Sequence, residues 1–194
     1  MHTGIFENVA CIHLTGVFLA IAKNNLPIAL KILAIAKGKN IPVSFDPNIR
    51  LKLWTIEEAR AAYFEIFPFV DVLLTGLDEI KMIIGEKPLE SFAQQYGINQ
   101  LVIKDGANGS KAYIEGIWYE APSFKVNAVD TVGAGDGYDA AYIFGLMNDY
   151  NIDERLHFAN AVGAMVTTVK GDNEGLPEFD EVQVFIGNKT VIER

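Results

Sequence analysis

Asp130-Thr131-Val132-Gly133-Ala134-Gly135-Asp136-Gly137-Tyr138 is the stretch on which the reading of this chain turns. A short apolar piece, residues 126–129, precedes it, and Ala140-Ala141-Tyr142-Ile143-Phe144-Gly145-Leu146-Met147 follows as a run of helical character. A polar, glycine-broken loop therefore opens a helix, with Gly133, Ala134 and Gly135 at the turn. Small residues let a backbone approach a ligand closely. The N–H groups and dipole of a helix start favour an anion there. A carboxylate, Asp136, is out of place in a loop that only holds phosphate. It fits a loop in which the acid must take a proton from a hydroxyl attacking that phosphate. The same residues also read as an acidic helix start, with Asp130 as its cap.

Outward from this loop the chain alternates. Residues 9–15 read as a buried strand. Residues 25–37 read as a helix, with Pro27 near its start and Gly38 just past its end. Residues 41–45 are a second strand. Thr55-Ile56-Glu57-Glu58 is a capping box opening a helix that Pro68 closes. Residues 70–74 form a strand, 75–84 and 88–96 short helices, the second stopped by Gly97, and 100–104 a strand. Residues 110–115 and 117–120 flank Gly116 as a hairpin. Beyond the glycine loop, residues 153–169 form a long helix capped by Asp153 and ended by Gly171.

Strands separated by helices predict an α/β fold, a mostly parallel central sheet with helices on both faces. Ligands of such sheets sit outside the carboxyl ends of the strands. Asp46, Asn48 and Arg50 follow one strand, Thr75 to Glu79 the next, and Lys104 to Gly109 a third. Asp136 is expected to follow a fourth, so that one ligand is within reach of all.

Length and composition bound the answer. The chain has 194 residues, half of them hydrophobic, which predicts a single domain over 1–194. Its 25 acidic and 16 basic side chains give a net charge of −9, which argues against a nucleic-acid binder. Local amides and a metal bind ATP, so the charge does not exclude it. The lone cysteine, Cys11, lies in an apolar run; a buried thiol in a reducing cytoplasm is the expectation. Residues 9–22 are the most apolar run, and His13, Thr15 and Gly16 interrupt it, so no membrane span is expected. The start, Met1-His2-Thr3-Gly4, lacks the build of a signal peptide. His2, His13 and His157 are scattered and suggest no metal site.

The contiguous run from Asp130 to Asp136 resembles the C-terminal signature of the ribokinase-like (phosphofructokinase-B-type) carbohydrate kinases. The resemblance implies a ribokinase-like three-layer sandwich. It implies that the Gly133-Ala134-Gly135 amides form an anion hole and that Asp136 is the catalytic base. Where the family usually has Phe, a small residue and Gly, this chain has Tyr138, Asp139 and Ala141. Asp139 is expected to add a second charge near the base and Ala141 a methyl, both lowering activity. Asp46-Pro47-Asn48-Ile49-Arg50, followed by Leu53-Trp54, is similar to the corresponding segment of the 2-keto-3-deoxygluconate kinases. By that likeness Asn48 and Arg50 face nucleotide and sugar acid, and Arg50 pairs with the carboxylate. Fructokinases and ribokinases share parts of the segment.

The resemblance carries further residues. Gly76-Leu77-Asp78-Glu79 is similar to the family's Asn-x-x-Glu, with Gly76 in place of Asn and Glu79 organising Mg²⁺ through water. Lys104, Gly106, Asn108 and Gly109 resemble the segment beside the ATP phosphates and ribose. Asn160 matches the position near the adenine, and Asp172 that touching a substrate hydroxyl. Each also has a plainer reading, as a helix start, a hairpin loop, a helical Asn or a helix-end turn.

The family's opening strands, with their Gly-Gly sugar motif and β-lid, find no match, so the fold is expected to be incomplete at its N-terminus. An uncovered sheet edge would then favour self-association. The implied activity is ATP- and Mg²⁺-dependent phosphorylation of a sugar acid, 2-dehydro-3-deoxygluconate to its 6-phosphate. The alternatives are fructose or 5-dehydro-2-deoxygluconate as acceptor, and an inactive nucleotide-binding fragment. A homo-oligomer or a complementing N-terminal half are the implied protein partners.

Overall fold

The computed structural model describes residues 3–22 and 24–189; His2 lies outside them. Its strands are β1 (Ile12–Thr15), β2 (Val43–Asp46), β3 (Val72–Gly76), β4 (Gln100–Lys104), β5 (Ser110–Ile114) and β6 (Ile117–Ala121). They make one six-stranded sheet in the order β1-β2-β3-β4-β5-β6. The helices are α1 (Gly16–Ala20), α2 (Asn25–Gly38), α3 (Ile56–Ile66), α4 (Leu77–Ile84), α5 (Leu89–Tyr96), α6 (Ala134–Met147), α7 (Ile152–Val166) and α8 (Phe179–Phe185). β1 runs parallel to β2 and β2 to β3, with Leu14 beside Phe45 and Phe45 beside Leu73. Parallel neighbours need a crossover; the segments carrying α2 and α3 supply them. β5 and β6 are joined by Glu115 and Gly116, whose φ angles of 50° and 85° make the tight turn of a hairpin. The sheet is therefore mixed.

Two expectations are corrected. The apolar piece at residues 126–129 is irregular. The backbone N–H groups of Val129 and Asp130 donate to the Thr167 carbonyl at 2.7 and 3.1 Å, so the segment finds its hydrogen bonds at a helix end rather than in a ladder. Asp136 thus does not follow a fourth parallel strand. The long helix after the loop is capped by Asn151, not Asp153. Asn151 accepts from Glu154 N–H while the Glu154 carboxylate accepts from Asn151 N–H, and Asp153 sits in the first turn. α8 lies in a stretch to which the sequence reading assigned no element.

The described residues divide into two compact units: the chain up to Ile103 with Tyr113–Ile117, and Lys104–Ala112 with the chain from Trp118. In the first unit β2 is buried at every position, as a strand covered on both faces must be. α3 opens with the expected Thr55–Glu58 box and buries Ala59, Ala62, Tyr63 and Ile66, one helical stripe. Aromatic rings on and around α3 pack edge-on: Phe45 and Tyr63 lie 5.4 Å apart, Phe67 and Phe92 5.0 Å, Trp54 and Tyr63 5.4 Å. Burying each of Phe45, Tyr63, Phe67 and Phe92 contributes roughly 1.5–3 kcal/mol. α5 ends at Gly97 in the left-handed conformation, as its sequence predicts.

In the second unit α6 packs closely on α7. A Cβ on Gly137 would lie 2.8 Å from Val166 Cγ2, and one on Gly163 3.3 Å from the Ala134 carbonyl, so small residues set this helix crossing. Tyr142 is fully buried, and its hydroxyl takes a 3.5 Å hydrogen bond from Arg155. Burial pushes its phenol up to about 12, against the opposing effect of the Arg155 charge. The folded state therefore holds this proton more tightly than the unfolded chain does. The stability it contributes is complete below pH 10 and is lost as pH rises from 10 towards about 12. Urea midpoints should fall over that interval, and fall less in Tyr142→Phe; an equal fall in both would reject the assignment.

Candidate active site

The second unit holds the glycine loop. Asp130 folds back on it: Oδ1 accepts from Val132 N–H at 3.1 Å and Oδ2 from Gly171 N–H at 3.4 Å. Asp130 is thus an anchor of the turn, not the helix cap. That cap is Gly133, at φ 76°, left-handed backbone that glycine adopts without strain. A Cβ there would also lie 2.3 Å from the Asp172 carbonyl oxygen and 2.9 Å from its Oδ1. Asp172 therefore packs directly on the loop, a contact 39 positions away in sequence that no local pattern reveals. Gly133→Ala should cost about 2 kcal/mol from backbone strain and crowding. Urea unfolding would read it, and an unchanged midpoint would mean the loop is looser than described.

Ala134, Gly135 and Asp136 form the first turn of α6, whose amides have no carbonyl to bond within the helix; the Ala134 N–H donates to the Thr131 carbonyl outside it at 3.4 Å. Gly135 and Asp136 are exposed. The turn is open to solvent, and the acid lies on that open side, as a base acting on an incoming hydroxyl requires.

Lys104, at the end of β4, reaches this turn. Its Nζ lies 3.8 Å from where a Gly135 Cβ would be, and 2.9 and 3.1 Å from the two carboxylate oxygens of Asp139. The charge that Asp139 was expected to add beside the base is thus matched by a cation. After Lys104, Gly106 has open space at its Cβ position. Asn108 Nδ2 donates to Asp105 at 3.1 Å, closing the turn on itself. Gly109 serves packing: at φ 101°, a Cβ would be 2.1 Å from the Ala121 carbonyl oxygen. Asn160 is buried, and its amide nitrogen donates to the Ala121 and Pro122 carbonyls at 3.1 and 3.3 Å. It ties α7 to the end of β6, so the amide expected beside an adenine is engaged within the protein.

The first unit holds the other candidates. Asp46 Oδ1 accepts from Asn48 N–H at 3.1 Å, and Asn48 sits at φ 41°, a tight turn after β2. Arg50 is exposed, its guanidinium donating to the Ile49 carbonyl at 3.3 Å. Glu79 holds this segment: Oε1 accepts from Ile49 N–H at 2.6 Å, and Oε2 from the Thr75 hydroxyl at 2.9 Å and Gly76 N–H at 3.3 Å. Tyr63, from α3, donates to the Pro47 carbonyl at 2.6 Å. Burial, then the Glu79 and Asp46 charges, keep its phenol protonated well above the usual range.

Glu79 is thus a brace for the Asp46–Arg50 loop. Among the described residues no three or more His, Cys, Asp or Glu are grouped to hold a metal ion. These residues therefore form no protein cage for Mg²⁺; an ion here would arrive on phosphates and keep its waters.

The description "pfkB family carbohydrate kinase" matches residues 2–178. A 2-dehydro-3-deoxygalactonokinase of Haloferax volcanii is 28% identical over 98% of this chain and 61% of its own length. Fructokinase-2 of Oryza sativa is 34% identical over 78% of this chain and 48% of its own. An E. coli protein described as a ribokinase II, solved with ATP and Mg²⁺, superposes with a TM-score of 0.87 at 25% identity, over 97% of this chain and 62% of its own. The fold is the ribokinase-like α/β fold read from the glycine loop. The chain spans about half to three-fifths of the curated relatives it matches.

Proposed function

The chain belongs to the pfkB family of carbohydrate kinases, and on that premise we propose that it phosphorylates a sugar acid with ATP, 2-dehydro-3-deoxy-D-gluconate at its 6-hydroxyl. The observation that carries the reading is the carboxylate of Asp136 on the open first turn of α6, next to the Gly133-Ala134-Gly135 backbone. Asp136 takes the proton of the attacking hydroxyl. The freed oxygen bonds to the γ-phosphorus, and the bond to the β-phosphate oxygen breaks, leaving ADP with the electron pair. The amides of Gly133, Ala134, Gly135 and Asp136 stabilise charge on the moving phosphoryl group. Bound with ATP, Mg²⁺ would neutralise charge at the phosphates, and Glu79 would be the residue assigned to its waters. In the second unit Lys104, Gly106 and Asn108 are assigned to nucleotide contacts. In the first unit Arg50 is assigned to the acid's carboxylate, since a guanidinium can grip it with two parallel hydrogen bonds.

The relatives' names divide between a deoxy sugar-acid kinase and a fructokinase. A panel of 2-dehydro-3-deoxygluconate, 5-dehydro-2-deoxygluconate and fructose with MgATP tests the choice. Turnover of the first, reduced by Arg50→Ala, is expected. Preferential turnover of fructose would replace the acid with a neutral sugar. A second reading is a nucleotide-binding unit without transfer; nucleotide binding with no transfer to any acceptor would favour it.

A further inference from the structure

The Lys104–Asp139 pair is more than the neutralisation of two charges. Only 16% of the Lys104 side chain and 3% of that of Asp139 is exposed, so both ions have left most of their water. Desolvating an ion costs several kcal/mol, and an apolar pair of similar volume would often be no less stable. Stability alone therefore gives little reason for the pair. Its geometry gives a better one. An ammonium is a point charge on a flexible stem with no preferred direction. Both Asp139 oxygens lie within 3.1 Å of Nζ, which fixes that charge beside Gly135, in the turn proposed to hold the phosphates. Asp139 stands on α6 one turn beyond Asp136, so the same helix presents the base and sets the cation.

We infer that Asp139 is a positioning residue, acting on bound nucleotide phosphates through Lys104. The inference rests on the nucleotide reading above. It predicts a pattern that a packing role would not produce: Asp139 matters to phosphate binding only while Lys104 is present.

Titration calorimetry on the full chain, with AMP-PNP plus Mg²⁺ and with adenosine, tests it through Lys104→Met, Asp139→Asn and the pair combined. Lys104→Met should weaken AMP-PNP about tenfold, the scale of one charge-assisted hydrogen bond. Asp139→Asn, which keeps the side-chain shape, should weaken it about threefold to tenfold by releasing the ammonium. The combined variant should be no weaker than Lys104→Met, and adenosine affinity should hold throughout. Should Asp139→Asn leave AMP-PNP unchanged or tighten it, or weaken it equally with and without Lys104, the inference is overturned while the nucleotide reading stands. A parent chain that binds no AMP-PNP overturns both. Where Asp139→Asn fails to fold, Asp139→Ser, which also removes the carboxylate, serves in the same cycle, with the same two outcomes.

Discussion

With Asn in place of Asp136, phosphoryl transfer should fall by about 10²–10⁴-fold, the usual contribution of a positioned general base. Nucleotide binding should survive. The change is nearly isosteric and sits on an exposed first turn, where the lost attraction between a carboxylate and a helix start costs about 0.3–1 kcal/mol. The direction of the binding change is itself informative. A carboxylate beside phosphates repels them, so the Asn variant should bind ATP as well as the parent or more tightly. ADP release in the presence of acceptor, together with nucleotide titration, separates the two effects. Turnover within a factor of about three of the parent, with affinity unchanged, would remove Asp136 from the base role.

Gly16→Ala should be the most damaging single methyl in the first unit. Thr15 caps α1 by accepting from Val17 N–H at 3.0 Å, which draws the backbone at Gly16 against its neighbours. A Cβ there would lie 1.8 Å from the Pro47 carbonyl oxygen and 2.4 Å from the Tyr63 hydroxyl. No atom can occupy that place. Either the α1 turn lifts, or the Pro47 carbonyl moves and leaves the buried Tyr63 hydroxyl without its acceptor. Overpacking and a broken buried hydrogen bond together cost about 3 kcal/mol or more. Tyr63→Phe in the same chain should recover only part, because the clash with Pro47 remains. A urea midpoint within about 0.5 kcal/mol of the parent would contradict this packing. The damage would reach Asn48 and Arg50, which follow Pro47 directly.

The elements that sequence foretold are those whose cause is local. The Thr55–Glu58 box, the Gly97 stop and the Glu115–Gly116 turn each depend on residues within a few positions of one another. The strand expected ahead of Asp136 is not found at residues 126–129, because an apolar piece shows only that a segment can be extended; a strand also needs a neighbour, and Thr167 supplied the hydrogen bonds instead. The glycine loop and its acid were legible as a contiguous motif. Its supports were not. Lys104 and Asp139, Gly133 and Asp172, and Asn160 and Ala121 are far apart along the chain, and only the folded path brings them together. The glycines divide in the same way. Gly133 stands at the left-handed cap of α6, whereas Gly109, marked for a ligand, has the Ala121 carbonyl against its Cβ position.

The chain has two tryptophans, Trp54 edge-on to Tyr63 in the first unit and Trp118 beneath the Lys111 ammonium, 4.7 Å from its ring centre, in the second. Each unit thus carries its own fluorophore. Trp54→Phe leaves emission from one half alone, and Trp118→Phe from the other. Melting curves of the two variants would then show whether the halves come apart together or in turn.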